Sequence, residues 1–113
     1  MDANSTSQAL GQARAAYEEL VKASFFLPDG AARDRVRTVY VSLRDALARP
    51  SGDDALEVLA MNLSSFGGTL RQSLGLASSH PGRGVDHLRF AVEIIDSIEA
   101  AIDEPDGVEE LNS

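Results

Sequence analysis

The segment 85–102 places the strongest constraint on the fold, because its apolar side chains would cover an unusually wide part of a helix. Successive helical residues are turned by about 100°, and at that angle the apolar residues fall into two neighbouring rows covering roughly 200°. The first row is Val85, Leu88, Val92, Ile95 and Ile102, and the second is Phe90, Ile94, Ile98 and Ala101. A helix of this kind needs apolar neighbours on two sides, so we expect the rest of the chain to surround it.

Three further segments predict helices with one apolar stripe each. In 5–26, 31–48 and 52–77 the apolar residues recur at intervals of three and four, which is the period of an α-helix. Proline and glycine separate these segments from one another and from the last helix at 84–103, as is typical of helix ends. The chain therefore predicts four helices.

Two of the predicted helix starts carry the signature of an N-terminal cap. Ser5 is followed three residues later by Gln8, and Ser51 is followed in the same way by Asp54. A serine hydroxyl at such a position accepts a hydrogen bond from a free backbone N–H of the first turn. We therefore expect Ser5 and Ser51 to cap the first and third helices.

Four helices joined by short connections predict an all-α fold, an antiparallel up-down four-helix bundle. We expect one domain over residues 1–113, with flexible ends at 1–4 and 105–113. Aromatic residues make up only 5% of the chain and tryptophan is absent, so the core has to be aliphatic. The Gly67-Gly68 pair does not shift the stripe of the third helix. We predict one continuous helix there. Two structural reasons could explain the glycines, a bend or close packing against a neighbour, and a backbone site for a ligand is the alternative.

No pattern in the chain points to an enzyme. Cysteine is absent, which excludes thiolate nucleophiles, disulfides and cysteine-type zinc sites. The two histidines, His80 and His87, lack the spacing to other ligands that metal sites use. We therefore expect no catalytic residue, no metal and no cofactor, and we expect His87 to pack half-buried on its helix.

Two other polar groupings are explained more simply by structure than by chemistry. Glu93 and Asp96 could help to bind a magnesium ion, but such a site would need acids facing them from another helix. Glu18 and Glu19 lie away from the apolar stripe of the first helix, so we expect them to face solvent. The segment Gly82-Arg83-Gly84 could hold an anion at a helix start. It lacks a nucleotide-loop motif, however, and we predict a flexible helix start.

The charge of the chain limits its partners. The formal net charge is −8 and the pI is near 4.5, which argues against binding to nucleic acid or to an anionic membrane. The start of the chain lacks the features of a signal peptide, and no apolar run reaches transmembrane length. We expect a cytoplasmic protein without a membrane partner.

Two alternatives nevertheless involve nucleic acid. Arg33, Arg37 and Arg44 line one flank of the second helix and could contact phosphate in a nucleic-acid-linked regulator. The same flank could instead be solvated or pair with the acidic last helix. Nine of the eighteen acidic residues lie from Asp86 onward, so an acidic inhibitor that mimics DNA is the other alternative.

The second apolar row of the last helix supports the favoured functional hypothesis. A continuous exposed apolar row usually marks an interaction site, and two-fold homodimers are the commonest oligomers. We therefore expect a small acidic, non-enzymatic protein–protein interaction module, a regulator or adaptor, that forms a homodimer. Its predicted interface consists of Phe90, Ile94, Ile98 and Ala101, together with Phe26 at the end of the first helix.

Overall fold

The computed structural model contains four α-helices, and this confirms the predicted all-α four-helix fold. They are α1 (Ala3–Phe26), α2 (Gly30–Leu47), α3 (Gly52–Ala77) and α4 (Arg83–Asp103). The structure describes the backbone of residues 3–79 and 81–103 and the side chains of residues 5–79 and 81–102. No strand occurs in this part of the chain. The antiparallel order of the helices stays a prediction.

The helix starts follow the predicted caps in one case and not in the other. Ser51 caps α3, since its Oγ accepts hydrogen bonds from the backbone N–H groups of Asp53 and Asp54. The prediction for α1 is wrong: this helix begins at Ala3, so Ser5 lies inside it. Residues 3 and 4 of the first predicted flexible end thus belong to α1, whereas residues 1, 2 and 105–113 lie outside the described residues.

The four helices pack around one aliphatic core. α1 and α3 each contact α2 and α4, and α1 also contacts α3, whereas the described residues of α2 and α4 do not touch. Every predicted stripe contributes to this core. The largest fully buried apolar side chains are Leu20, Val36, Val39, Leu43, Leu59, Leu63, Leu70, Leu88, Ile95 and Ile98.

One buried hydroxyl joins α3 to the start of α2. Ser73 is fully buried, and its Oγ donates a hydrogen bond to the backbone carbonyl of Ala32 at 2.8 Å. Ala32 lies in the first turn of α2 and is itself buried. A buried hydroxyl is tolerated only when it is hydrogen-bonded, so this contact determines how the end of α3 lies against α2.

The glycine pair in α3 is part of one continuous helix, as predicted. A Cβ added at Gly67 would meet only the side chain of Arg71, and a Cβ at Gly68 would meet nothing within 4 Å. No neighbouring helix therefore approaches closely at either position. Close helix packing, one of the two reasons considered for these glycines, is thus wrong.

Gly84 allows the start of α4 to lie directly on the end of α1. A Cβ at this position would be 2.9 Å from the backbone nitrogen of Leu27 and 3.0 Å from two of its side-chain carbons. Leu27 cannot move aside easily, because it is buried and its N–H donates a hydrogen bond to the carbonyl of Ala23. Gly84 at this helix start therefore serves close packing, whereas the flexibility of the start stays a prediction.

We predict that Gly84→Ala lowers the free energy of unfolding by about 1–3 kcal/mol, the usual cost of forcing an extra methyl group into a packed contact. Gly75→Ala is the matched control, because Gly75 is also a helical glycine and a Cβ there would meet nothing within 4 Å. We expect the control to be at least as stable as the wild type, since alanine has the higher helix propensity. Urea unfolding of the wild type and both variants measures these effects. Equal unfolding midpoints for the two variants would contradict a close, rigid contact between Gly84 and Leu27.

Candidate interaction surface

The predicted interface row on α4 is not a continuous exposed row. Ile98 is fully buried in the core, and Ile94 is partly buried against it. Only Phe90 and Ala101 are exposed. The prediction that Ile98 belongs to an interface is therefore wrong. α1 and α3 together cover both the first apolar row of α4 and this part of the second row.

Exposed aromatic residues replace that row as the most unusual surface feature. Three of the four phenylalanines are exposed: Phe25 by 83%, Phe26 by 42% and Phe90 by 52%, while Phe66 is buried. The rings of Phe25 and Phe26 touch edge to face, with centroids 5.3 Å apart. Phenylalanine is usually buried, so three exposed rings on two adjacent helices require an explanation.

The aromatic residues of α1 meet α4 through His87. The Phe26 ring stacks on the His87 imidazole with centroids 6.0 Å apart and an angle of 20° between the planes. The guanidinium of Arg83 lies 5.6 Å from the centroid of the same Phe26 ring, within cation–π distance. Phe90 follows His87 by three residues and therefore lies beside it on the helix surface. We call Phe25, Phe26, His87 and Phe90 the aromatic patch.

A polar contact between α1 and α4 lies beside this patch. The Nδ1 atom of His87 is 2.8 Å from Oε1 of Glu19, and their side chains are only 28% and 14% exposed. Lys22 contacts the other Glu19 oxygen at 3.4 Å. The hydrogen bond from His87 is the main cause that lowers the pKa of Glu19, assisted by Lys22 and opposed by burial. The expectation that Glu19 faces solvent is therefore wrong.

The predicted arginine flank lies on a different surface. Arg33, Arg37 and Arg44 are exposed on α2, and none forms an ion pair with a carboxylate in the described part of the chain. The described residues of α2 and α4 do not contact each other, and none of these arginines pairs with an acid of α4 among them. Asp96 of α4 instead pairs with Arg71 of α3.

An open cavity of about 400 Å³ lies between the starts of α1 and α3. It is lined by Thr6, Ser7, Leu10, Arg14, Ser51, Gly52 and Asp53. A helix start can bind anions through free N–H groups, but Ser51 already accepts from two of them here. The carboxylate of Asp53 also lines the cavity and would repel an anion, so this cavity does not supply a built anion site.

Comparison of this chain with known protein families, with curated proteins and with solved structures finds no match. Among residues 3–79 and 81–103, no group of three or more potential ligands could hold a metal ion, and His80 lies outside that range. Within the same residues, no helix is long and apolar enough to cross a membrane. The surface has to be interpreted from its own side chains.

Sequence reasoning missed Phe25 and Glu19 for different reasons. Phe25, Phe26 and Leu27 are consecutive, and neighbouring helical residues differ by about 100° in direction, so all three could not point into the core. That signal was present in the sequence. The position of Glu19 depends on which flank of α1 faces α4, and no periodicity in the sequence indicates this.

We predict that Glu19→Gln destabilises the fold at neutral pH by about 1 kcal/mol, the scale of one hydrogen bond. A carboxyl group with a lowered pKa stabilises the folded state while it is ionised. This contribution is present above its ordinary pKa of 4.5 and is lost as pH falls through the lower folded-state value. The stability difference between the variant and the wild type should therefore be smaller near pH 3 than at neutral pH.

Glu18→Gln provides the control, since Glu18 is the exposed neighbour of Glu19. We expect it to change stability by less than about 0.5 kcal/mol at either pH. Thermal or urea unfolding at both pH values measures the difference. If Glu19→Gln lost as much stability in acid as at neutral pH, the packing of the side chain and not its charge would matter at this position.

Proposed function

We propose that this chain is a small acidic, non-enzymatic protein–protein interaction module, a cytoplasmic regulator or adaptor that forms a homodimer through its aromatic patch. The observation that carries the proposal is the exposure of three of the four phenylalanines, all at or beside the contact between α1 and α4. Exposed clusters of large apolar side chains mark interaction sites more often than scattered single residues do.

The geometry of the patch favours association. Phe26 contacts Phe25, His87 and Arg83, so its ring is held in place before any partner arrives. Side chains that are already ordered lose less conformational entropy when they are covered. Aromatic residues are also the side chains that most often dominate binding energy at interfaces.

The charges beside the patch suit a second copy of the same chain. Arg83 has no carboxylate partner in the described residues, and the exposed Asp86 has only a 4.0 Å contact with Arg89. Both lie in the first turn of α4, next to the patch. A two-fold interface uses the same surface twice, and this surface carries both signs of charge.

We predict that Phe90→Glu and Phe25→Glu each weaken the dimer by about thirtyfold or more, the effect of losing one aromatic residue that dominates an interface. Both side chains are at least half exposed, so neither change should unfold the monomer. Ile94→Glu is a poorer test, because that side chain packs partly against the core. Sedimentation velocity gives the dimer affinity, and circular dichroism confirms the helical content.

Met61→Glu is the matched control. It also places a carboxylate on an exposed apolar residue, 76% accessible, but on α3. We expect this variant to dimerise like the wild type. Wild-type protein that stayed monomeric at high concentration would remove self-association, and patch variants that still dimerised would place the interface elsewhere.

A second candidate function rests on the arginine row of α2. Arg33, Arg37 and Arg44 lie on one helix face, and the first and last are eleven positions apart, or about 16 Å at 1.5 Å per residue. They lack carboxylate partners in the described residues. A row of this kind can contact successive phosphates. The net charge of −8 opposes such binding, so we rank a nucleic-acid-linked regulator second.

For this second candidate we predict nucleic-acid binding that falls steeply with salt and is lost when all three arginines are replaced by alanine. Fluorescence anisotropy with labelled single- and double-stranded oligonucleotides measures it. Arg14→Ala, which removes a single exposed arginine of α1, provides the control. The absence of binding at low salt would eliminate this candidate.

A further inference from the structure

His87 is the group of the aromatic patch whose charge can change near neutral pH. From α1 it is faced by the carboxylate of Glu19 and the ring of Phe26. Lys22 of α1 holds the second oxygen of that carboxylate. On α4, Arg83 already places one positive charge over the Phe26 ring. Charging His87 therefore adds a second cation to the same aromatic ring.

We propose that protonation of His87 weakens self-association, so that the dimer forms near neutral pH and dissociates in mild acid. The inference rests on the proposed function, since it concerns regulation of the same surface. Its basis is geometric. A partner that covers Phe26 also covers the stacked imidazole, whose side chain is still 28% exposed in the monomer.

Covering the patch is less favourable in free energy when His87 is protonated, for two reasons. An imidazolium loses part of its hydration, whereas a neutral imidazole loses much less. A two-fold interface on the patch also gathers His87 and Arg83 of both protomers in one covered surface, so charging His87 adds to positive charge that is already there. Glu19 compensates only in part, because it is already shared with Lys22.

The direction in which dimer affinity changes with pH follows from proton linkage. If the dimer disfavours protonated His87, it binds fewer protons than two separate monomers do. Association then strengthens as pH rises through the range in which histidine loses its proton, and it weakens below that range. We expect the dimer dissociation constant to be about tenfold or more higher at the lower pH.

The test measures dimer affinity by sedimentation velocity at about pH 7.5 and about pH 5.5, which bracket histidine titration. We expect wild-type dimers to weaken at the lower pH without loss of helical signal. His87→Gln, which can still donate a hydrogen bond to Glu19 but cannot become charged, should dimerise equally at both values. His80→Gln removes the other histidine and should keep the wild-type pH dependence.

The outcomes separate the two proposals. Dimers of equal affinity at both pH values would overturn the role of His87 and leave the interface intact. A pH dependence that persisted in His87→Gln, or vanished in His80→Gln, would assign the effect to another group and also overturn it. Wild-type protein that was monomeric at both pH values would overturn the dimer and its regulation together.

Discussion

The rest of the structure depends on the packing of α4 between α1 and α3. Leu88, Ile95 and Ile98 are fully buried there, and each large aliphatic side chain removed from water contributes about 1.5–3 kcal/mol. Small residues bring the helices close. The core-facing side of α1 carries the buried alanines Ala9, Ala13, Ala16 and Ala23, and Gly84 lets α4 begin against the backbone of Leu27. This proximity brings His87 to hydrogen-bonding distance of Glu19.

The same packing leaves the phenylalanines outside. Leu20, Ala23 and Leu27 fill the buried side at the end of α1. Phe25 and Phe26 point away from that side, because adjacent helical residues differ by about 100° in direction. Phe26 then covers the His87–Glu19 contact instead of entering the core. An apolar surface and a titratable contact are thus coupled at one place, and both proposals for the patch start from this coupling.

Charge is distributed unevenly over the bundle. Three exposed arginines, Arg33, Arg37 and Arg44, form a row on α2, whereas α4 carries Asp86, Glu93 and Asp96, and these two helices do not touch in the described residues. The arginine row has no carboxylate partner in the described residues, and α4 is partly neutralised by Arg71 of α3. Unpaired charge on a protein of net charge −8 influences the choice of partner more than it influences stability.

The helices, their stripes, the Ser51 cap and the aliphatic nature of the core could all be predicted from the sequence, because each depends on local periodicity or composition. The burial of Ile98, the contact between His87 and Glu19, the need for glycine at position 84 and the grouping of the exposed phenylalanines could not. Each of these depends on which flank of one helix faces another and how closely the two approach. Only the packing of distant segments decides that, since a helical repeat specifies an apolar face but not the neighbour that covers it.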